Sequence, residues 1–166
     1  MAITVEDGTG LADAETYIST SDADTYHAAR GNAAWGALSA GTKEAALRRA
    51  TDYMLGAYRP RWKGARATST QALDWPRSGV IVDGYPIAAN TVPPDVSRAC
   101  ADLALRASAE DLSPDLERGI KRQRVDVIET EYDTASPQAK RFRAVDQLLA
   151  PYLAGAGAGA LPVVRC

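Results

Sequence analysis

Four cations, Arg59, Arg61, Lys63 and Arg66, interleave with Tyr58 and Trp62 and lie just ahead of Trp75. Cations that neutralise phosphates, beside rings that stack on bases, are the combination single-stranded nucleic acids favour. The stretch is therefore a candidate DNA contact. A structural reading competes with it. The same run continues into Gln71-Ala72-Leu73-Asp74-Trp75-Pro76-Arg77-Ser78-Gly79-Val80, where the proline ring keeps Trp75 out of helical backbone and Gly79 supplies a position a side chain would resist. Left free, so many large side chains would expose much apolar surface. The loop is expected to fold down onto its flanking helices, with Trp62, Trp75, Pro76 and Arg77 as structural or subunit contacts. Arg77 then forms a salt bridge within the fold or across to a next subunit.

Elsewhere the residues offer little chemistry. His27 is the sole histidine. Catalysis would need a nucleophile or carboxylate held beside it, and no local spacing provides one, so it reads as a surface or helix-end residue. Cys100 and Cys166 make no framework and read as reduced thiols of a cytosolic chain in preference to a disulfide. No metal-ligand spacing, nucleophile elbow or Cys-His pair appears, and the acidic residues are scattered. No enzyme, cofactor or metal site is expected.

The elements that must position the loop are helical. Between Thr42 and Tyr58, Ala46, Leu47, Ala50, Tyr53, Met54, Ala57 and Tyr58 form one apolar stripe. Glu44 and Arg48 are an i,i+4 pair on the other face. Ahead of this helix, Ile3-Thr4-Val5 suits a short strand or extended arm, and a short helix runs from the cap-capable cluster Ser19–Asp22 to Arg30. Beyond the loop, Val80-Ile81-Val82 followed by Asp83-Gly84 suggests a small hairpin, with a return strand beginning at Ile87. Pro93-Pro94-Asp95 opens a third long helix, with Val96, Ala99, Cys100, Leu103 and Ala107 as its core stripe. From Ile120 to Tyr132 the parity of the β-branched residues switches near Asp126, which fits two short strands or one bulged strand, charged enough to be an edge or to pair with another chain. Ser136-Pro137 caps the last helix, marked by Phe142, Val145, Leu148, Leu149 and Tyr152. The fold class is mainly α: a small helical bundle with a long ordered loop and a short β-hairpin or strand pair.

Residues 1–153 are expected to form a single domain, followed by a Gly/Ala linker and C-terminal tip over 154–166. No Gly-Lys-Ser/Thr follows the linker, so it is not a phosphate loop. Tyr152, Leu153, Leu161, Val163, Val164 and Arg165 are candidate docking residues for a partner, against the plainer alternative of a disordered tail. The chain has 166 residues, 46% hydrophobic and 24% charged, with net charge -2 and pI near 5.4. Those values suit a globular domain with its own core and argue against a binder of polyanions over its whole surface. The N-terminus lacks the basic and apolar regions of a signal peptide, and no apolar run approaches the roughly 20 residues that span a bilayer.

Two classes remain: a nucleic-acid-binding module and a structural, oligomeric interaction protein. The order of several short motifs separates them. Ala14-Glu15-Thr16-Tyr17-Ile18, Ala23-Asp24-Thr25-Tyr26, Ala50-Thr51-Asp52-Tyr53, Trp62-Lys63-Gly64, Gln71-Ala72-Leu73-Asp74-Trp75-Pro76-Arg77 and Val92-Pro93-Pro94-Asp95-Val96 succeed one another. From about Ala12 to Tyr152 the chain resembles the head-tail connector (adaptor) proteins of tailed bacteriophages, a group also labelled DnaT-like single-stranded-DNA-binding proteins. The resemblance implies a virion protein of the neck, made in the host cytoplasm and assembled as a homo-oligomeric ring of about twelve subunits. Such a ring sits under the portal protein, extends the DNA channel and meets a downstream neck or tail protein. DNA would pass through its lumen without sequence-specific binding, and no membrane is involved. The alternative is a DnaT-like single-strand binder using loop 58–77, with Arg59, Arg61, Lys63 and Arg66 on the phosphates.

Overall fold

Two long helices set the packing. The computed structural model describes residues 3–114, strands 122–125 and 128–131 by their backbone, and residues 141–155. In chain order the helices are α1 (Thr20–Ala28), α2 (Ala33–Gly36), α3 (Ala40–Tyr58), α4 (Pro94–Ala107) and α5 (Arg143–Leu149). The strands are β1 (Ala65–Arg66), β2 (Arg77–Ser78), β3 (Ile81–Val82), β4 (Tyr85–Pro86), β5 (Arg122–Val125) and β6 (Ile128–Glu131). They pair antiparallel as β1–β2, β3–β4 and β5–β6. The protein is a mainly α domain, as its sequence periodicity predicts.

α3 buries Ala46, Leu47, Ala50, Thr51, Met54 and Tyr58, and α4 buries Val96, Ala99, Cys100, Leu103, Ala104 and Ala107. Both sets recur at i, i+3, i+4 spacing, so each helix presents one apolar stripe. These stripes face each other, with α1 and α5 packed against α4. Truncating a fully buried leucine such as Leu47 or Leu103 here costs about 2–5 kcal/mol.

Helix starts follow local chemistry. The Ser19 hydroxyl accepts from the Asp22 amide at 3.0 Å, and Ser39 accepts from Thr42 at 3.2 Å. Each cap satisfies an amide that the helix leaves unpaired, for about 1 kcal/mol. Pro94 opens α4 at a position where its missing N–H costs nothing. α2 is a single turn that periodicity could not show; it is anchored by Trp35, whose indole donates to Asp24 at 2.6 Å.

The N-terminal segment is extended, pairing Val5 with Thr16 in a parallel bridge. It then folds around the buried Glu6 carboxylate, which accepts from the amides of Gly8, Gly10 and Leu11. The hairpin expected after Val80 forms, with Ile81 opposite Pro86 and Val82 opposite Tyr85. Its turn residues Asp83 and Gly84 both have positive φ, the type I′ geometry that matches strand twist. The return strand begins at Tyr85, two residues before the expected Ile87. The parity switch near Asp126 separates β5 from β6. The Ser136-Pro137 cap and the tip residues Leu161, Val163, Val164, Arg165 and Cys166 lie outside the described residues.

Candidate functional site

The loop between α3 and α4 is closed over the helices. Gln71, Leu73, Asp74, Trp75, Pro76, Arg77 and Val80 are all buried, Trp75 completely so. Trp75 is the centre of a row of rings. It meets Trp62 edge-on at 5.7 Å and Tyr152 edge-on at 5.7 Å. Trp62 continues the row to Tyr58 at 5.9 Å, and Tyr58 to Tyr53 at 6.3 Å. Edge-to-face contacts of this kind add to the apolar burial of each ring. Both indole N–H groups in the row are buried with no acceptor among the described residues. Packing therefore holds these two tryptophans.

Polar side chains inside the loop satisfy its backbone. Arg77 donates from Nε to the Lys63 carbonyl at 2.7 Å, from Nη2 to Gly64 at 2.8 Å and from Nη1 to Asp74 at 3.1 Å. This fork is a geometry that lysine lacks. Burial pushes the guanidinium pKa down, and the neighbouring Asp74 opposes that shift. In place of the expected salt bridge within the fold, Arg77 caps carbonyls of its own chain. Gln71 works in the same way. Its Oε1 accepts from Thr68 N at 2.8 Å, and its Nε2 donates to Leu73 O at 2.9 Å and Pro76 O at 3.0 Å. Asp74 accepts from Arg59 Nε at 2.9 Å, while its amide donates to the Tyr17 hydroxyl at 2.9 Å. Burial raises the Tyr17 phenol pKa, with Asp74 adding to the rise.

Gly64 and Gly10 allow the close approaches the loop needs. A Cβ on Gly64 would sit 2.1 Å from the Ser78 carbonyl, across the β1–β2 pair. The loop is also tied to both ends of the described chain. Ala72 N donates to Leu11 O at 2.8 Å, and Ala154 N donates to Arg61 O at 2.7 Å.

The four cations thus lie away from the two indole rings. Arg59 is half-exposed and paired with Asp74. Arg61 is exposed, its guanidinium 5.6 Å from the Tyr58 ring centre. Lys63 donates to the Pro151 carbonyl at 2.7 Å, and Arg66 donates to the Gln71 carbonyl. A strand of DNA would find Arg59 and Arg61 at the surface but not the faces of Trp62 or Trp75.

Tyr152 and Leu153 belong to the core, although the sequence groups them with the docking tail. Tyr152 is held by Trp75 and by a hydrogen bond to Asp95 at 3.0 Å, and its phenol pKa is pushed up to about 12, chiefly by burial. Leu153 bridges to Trp62. Their apolar surface is covered by Trp62 and Trp75 of the same chain.

His27 stands at the end of α1, as expected, but it is buried and not at the surface. Its Nε2 faces the Ala101 carbonyl at 3.1 Å, and Nδ1 faces the Asn32 amide nitrogen at 3.0 Å. Those partners assign the neutral ring with its proton on Nε2. Desolvation lowers its pKa. Cys100 is a free thiol, fully buried against Thr51 and Thr16. No group of three potential metal ligands occurs among the described residues, and no helix among them is long and apolar enough to cross a membrane. A groove of about 620 Å³ between α3 and the end of α4 is lined by Arg49, Tyr53, Ala57, Ala107 and Leu112, and none of the loop residues contributes to it.

Over residues 1–166 the sequence matches the profile of the family described as "Putative DnaT-like ssDNA binding protein". The chain belongs to this family. Neither the curated proteins nor the solved structures hold a significant match to it. In this DnaT-like chain, sequence reasoning found the loop but missed how its polar residues serve it. Gln71 and Asp74 were visible only as letters of a motif. Their burial was signalled by their place beside Leu73 and Trp75, residues that must face inward.

Proposed function

We propose that this chain is a structural subunit of a bacteriophage head-tail connector, a non-catalytic virion protein that joins neighbours and lets DNA pass. The observation that carries the reading is the burial of the Gln71–Arg77 motif. The most specific stretch of the sequence is spent on holding a loop to its helices through Trp75, Gln71 and Arg77. That is the behaviour of a scaffold signature. A stacking platform for bases needs its rings outside. The small net charge fits a channel wall, since each phosphate contact would add salt-sensitive affinity and hold the DNA back. On this reading the partners are further copies of the chain in a ring, the portal protein and the next neck or tail component.

Single-strand binding is the second reading, favoured by the family description and by the exposure of Arg59 and Arg61. One experiment separates them. The purified chain is sized alone and with portal protein, and is run in a gel shift with single- and double-stranded DNA at moderate salt. Attachment to portal with no shift supports the connector. A single-strand shift that Arg59→Glu with Arg61→Glu abolishes, with no attachment to portal, replaces it with the second reading.

A further inference from the structure

The groove of about 620 Å³ beside α3 lies apart from the loop and has an acidic rim. α3 lends it Arg49, Asp52, Tyr53, Gly56 and Ala57, spaced i, i+3, i+4, i+7 and i+8, so one face of the helix runs along it. Tyr53, Ala57, Ala107 and Leu112 make an apolar floor, and the Tyr53 ring is set edge-on to Phe142 at 5.3 Å. Asp52, Glu110 and Asp111 outnumber Arg49 around that floor. Asp52 is exposed and forms no ion pair among the described residues. Gly56 is exposed in the last turn of α3, where glycine weakens a helix, yet a Cβ on it would meet nothing within 4 Å. The fold itself does not require the gap.

We infer that this groove receives a basic amphipathic helix of a partner protein, its apolar side chains on the floor and its arginines or lysines against the rim. Helix-in-groove docking uses anchors at i, i+3, i+4 and i+7. From Arg49 to Ala57 the helix rises about 12 Å, which matches the two turns that carry such anchors. Charge decides between occupants. Three carboxylates repel phosphates, which excludes DNA from this face. A second copy of the chain is poorly matched too. Ile81 and Tyr85, the large apolar side chains exposed among the described residues, flank Asp83 and would bring a like charge to the rim. A cationic helix meets no such opposition. The site serves neither the ring nor single-strand binding, so it goes beyond both readings of function.

A fluorescein-labelled synthetic helix tests it, with leucines at i, i+3, i+4 and i+7 and arginines on both sides of that stripe. Fluorescence anisotropy measures its binding to the full-length chain, beside a second helix carrying glutamates in place of the arginines. Saturable binding of the arginine helix alone is expected. Gly56→Phe fills the groove without changing its charge and should weaken binding by about tenfold or more, and Asp52→Arg by about fivefold. Undiminished binding to Gly56→Phe would show a diffuse attraction to the acidic surface, and equal binding of the two helices would remove the charge match. Either outcome overturns the inference, as does the absence of binding by the full-length chain. Binding seen only with a chain ending at Gly155 would make the C-terminal tip the occupant, and self-association abolished by Gly56→Phe would make it a second copy; both replace the partner helix. A cooperative thermal transition checks that each variant is folded, and Asp52→Arg carries the test if Gly56→Phe is not.

Discussion

Arg77 shows how one side chain can hold a loop. Three carbonyls converge on its guanidinium, so replacing it strands acceptors already out of water. Arg77→Lys offers a single point of donation in place of the fork and should cost about 2–3 kcal/mol in urea unfolding. A loss below 0.5 kcal/mol, to order of magnitude, would mean the loop does not depend on it. His27 gives a pH signature. Its burial holds the ring neutral when folded, whereas the unfolded chain protonates near pH 6.5. Below that pH the unfolded state takes up a proton the native state refuses, so stability falls as pH drops from about 6.5 toward the lowered native value. The slope should approach about 1 kcal/mol per pH unit, and His27→Gln should flatten it. Glu15 acts in a lower window. Hydrogen bonds donated by Arg48 and by the Thr4 amide hold its carboxyl below the usual range, so its contribution is lost only as pH falls below about 4.5.

The loop, taken as an element, depends on backbone as much as on rings. Gly64 and Gly79 both have positive φ, yet they should respond differently to alanine. At Gly79 a Cβ meets nothing, leaving only the conformational cost of about 1 kcal/mol. At Gly64 the Cβ would strike the Ser78 carbonyl and separate β1 from β2. Chemical denaturation should therefore rank Gly64→Ala well below Gly79→Ala in stability; equal effects would contradict the packing described. Sequence made the helices of this region legible because their apolar residues recur with a single period over many turns. It also exposed the hairpin turn, since Asp83-Gly84 has few other uses. It could not reveal the side of the loop each residue faces. Trp75 and Arg61 look alike in an aromatic-basic run, and only long-range contacts decide that one is buried and the other exposed. Gln71, Asp74 and Arg77 read as polar, and their burial depends on carbonyls brought close by folding.

At the scale of the whole molecule, the domain is closed by its C-terminal end. Leu153 lies on Trp62, and the Ala154 amide donates to the Arg61 carbonyl. A chain ending at Gly155 should unfold at the full-length midpoint. One ending at Tyr152 should lose about 2–3 kcal/mol with the buried leucine. Composition marked the Gly/Ala linker because low complexity is plain to see, but it could not show that the two residues before the linker belong to the core. That closure has an optical consequence. All three tryptophans, Trp35, Trp62 and Trp75, are buried, and two of them share one row with Tyr152 under the C-terminal end. Their emission should be blue-shifted in the native chain and move to the red when that end lifts.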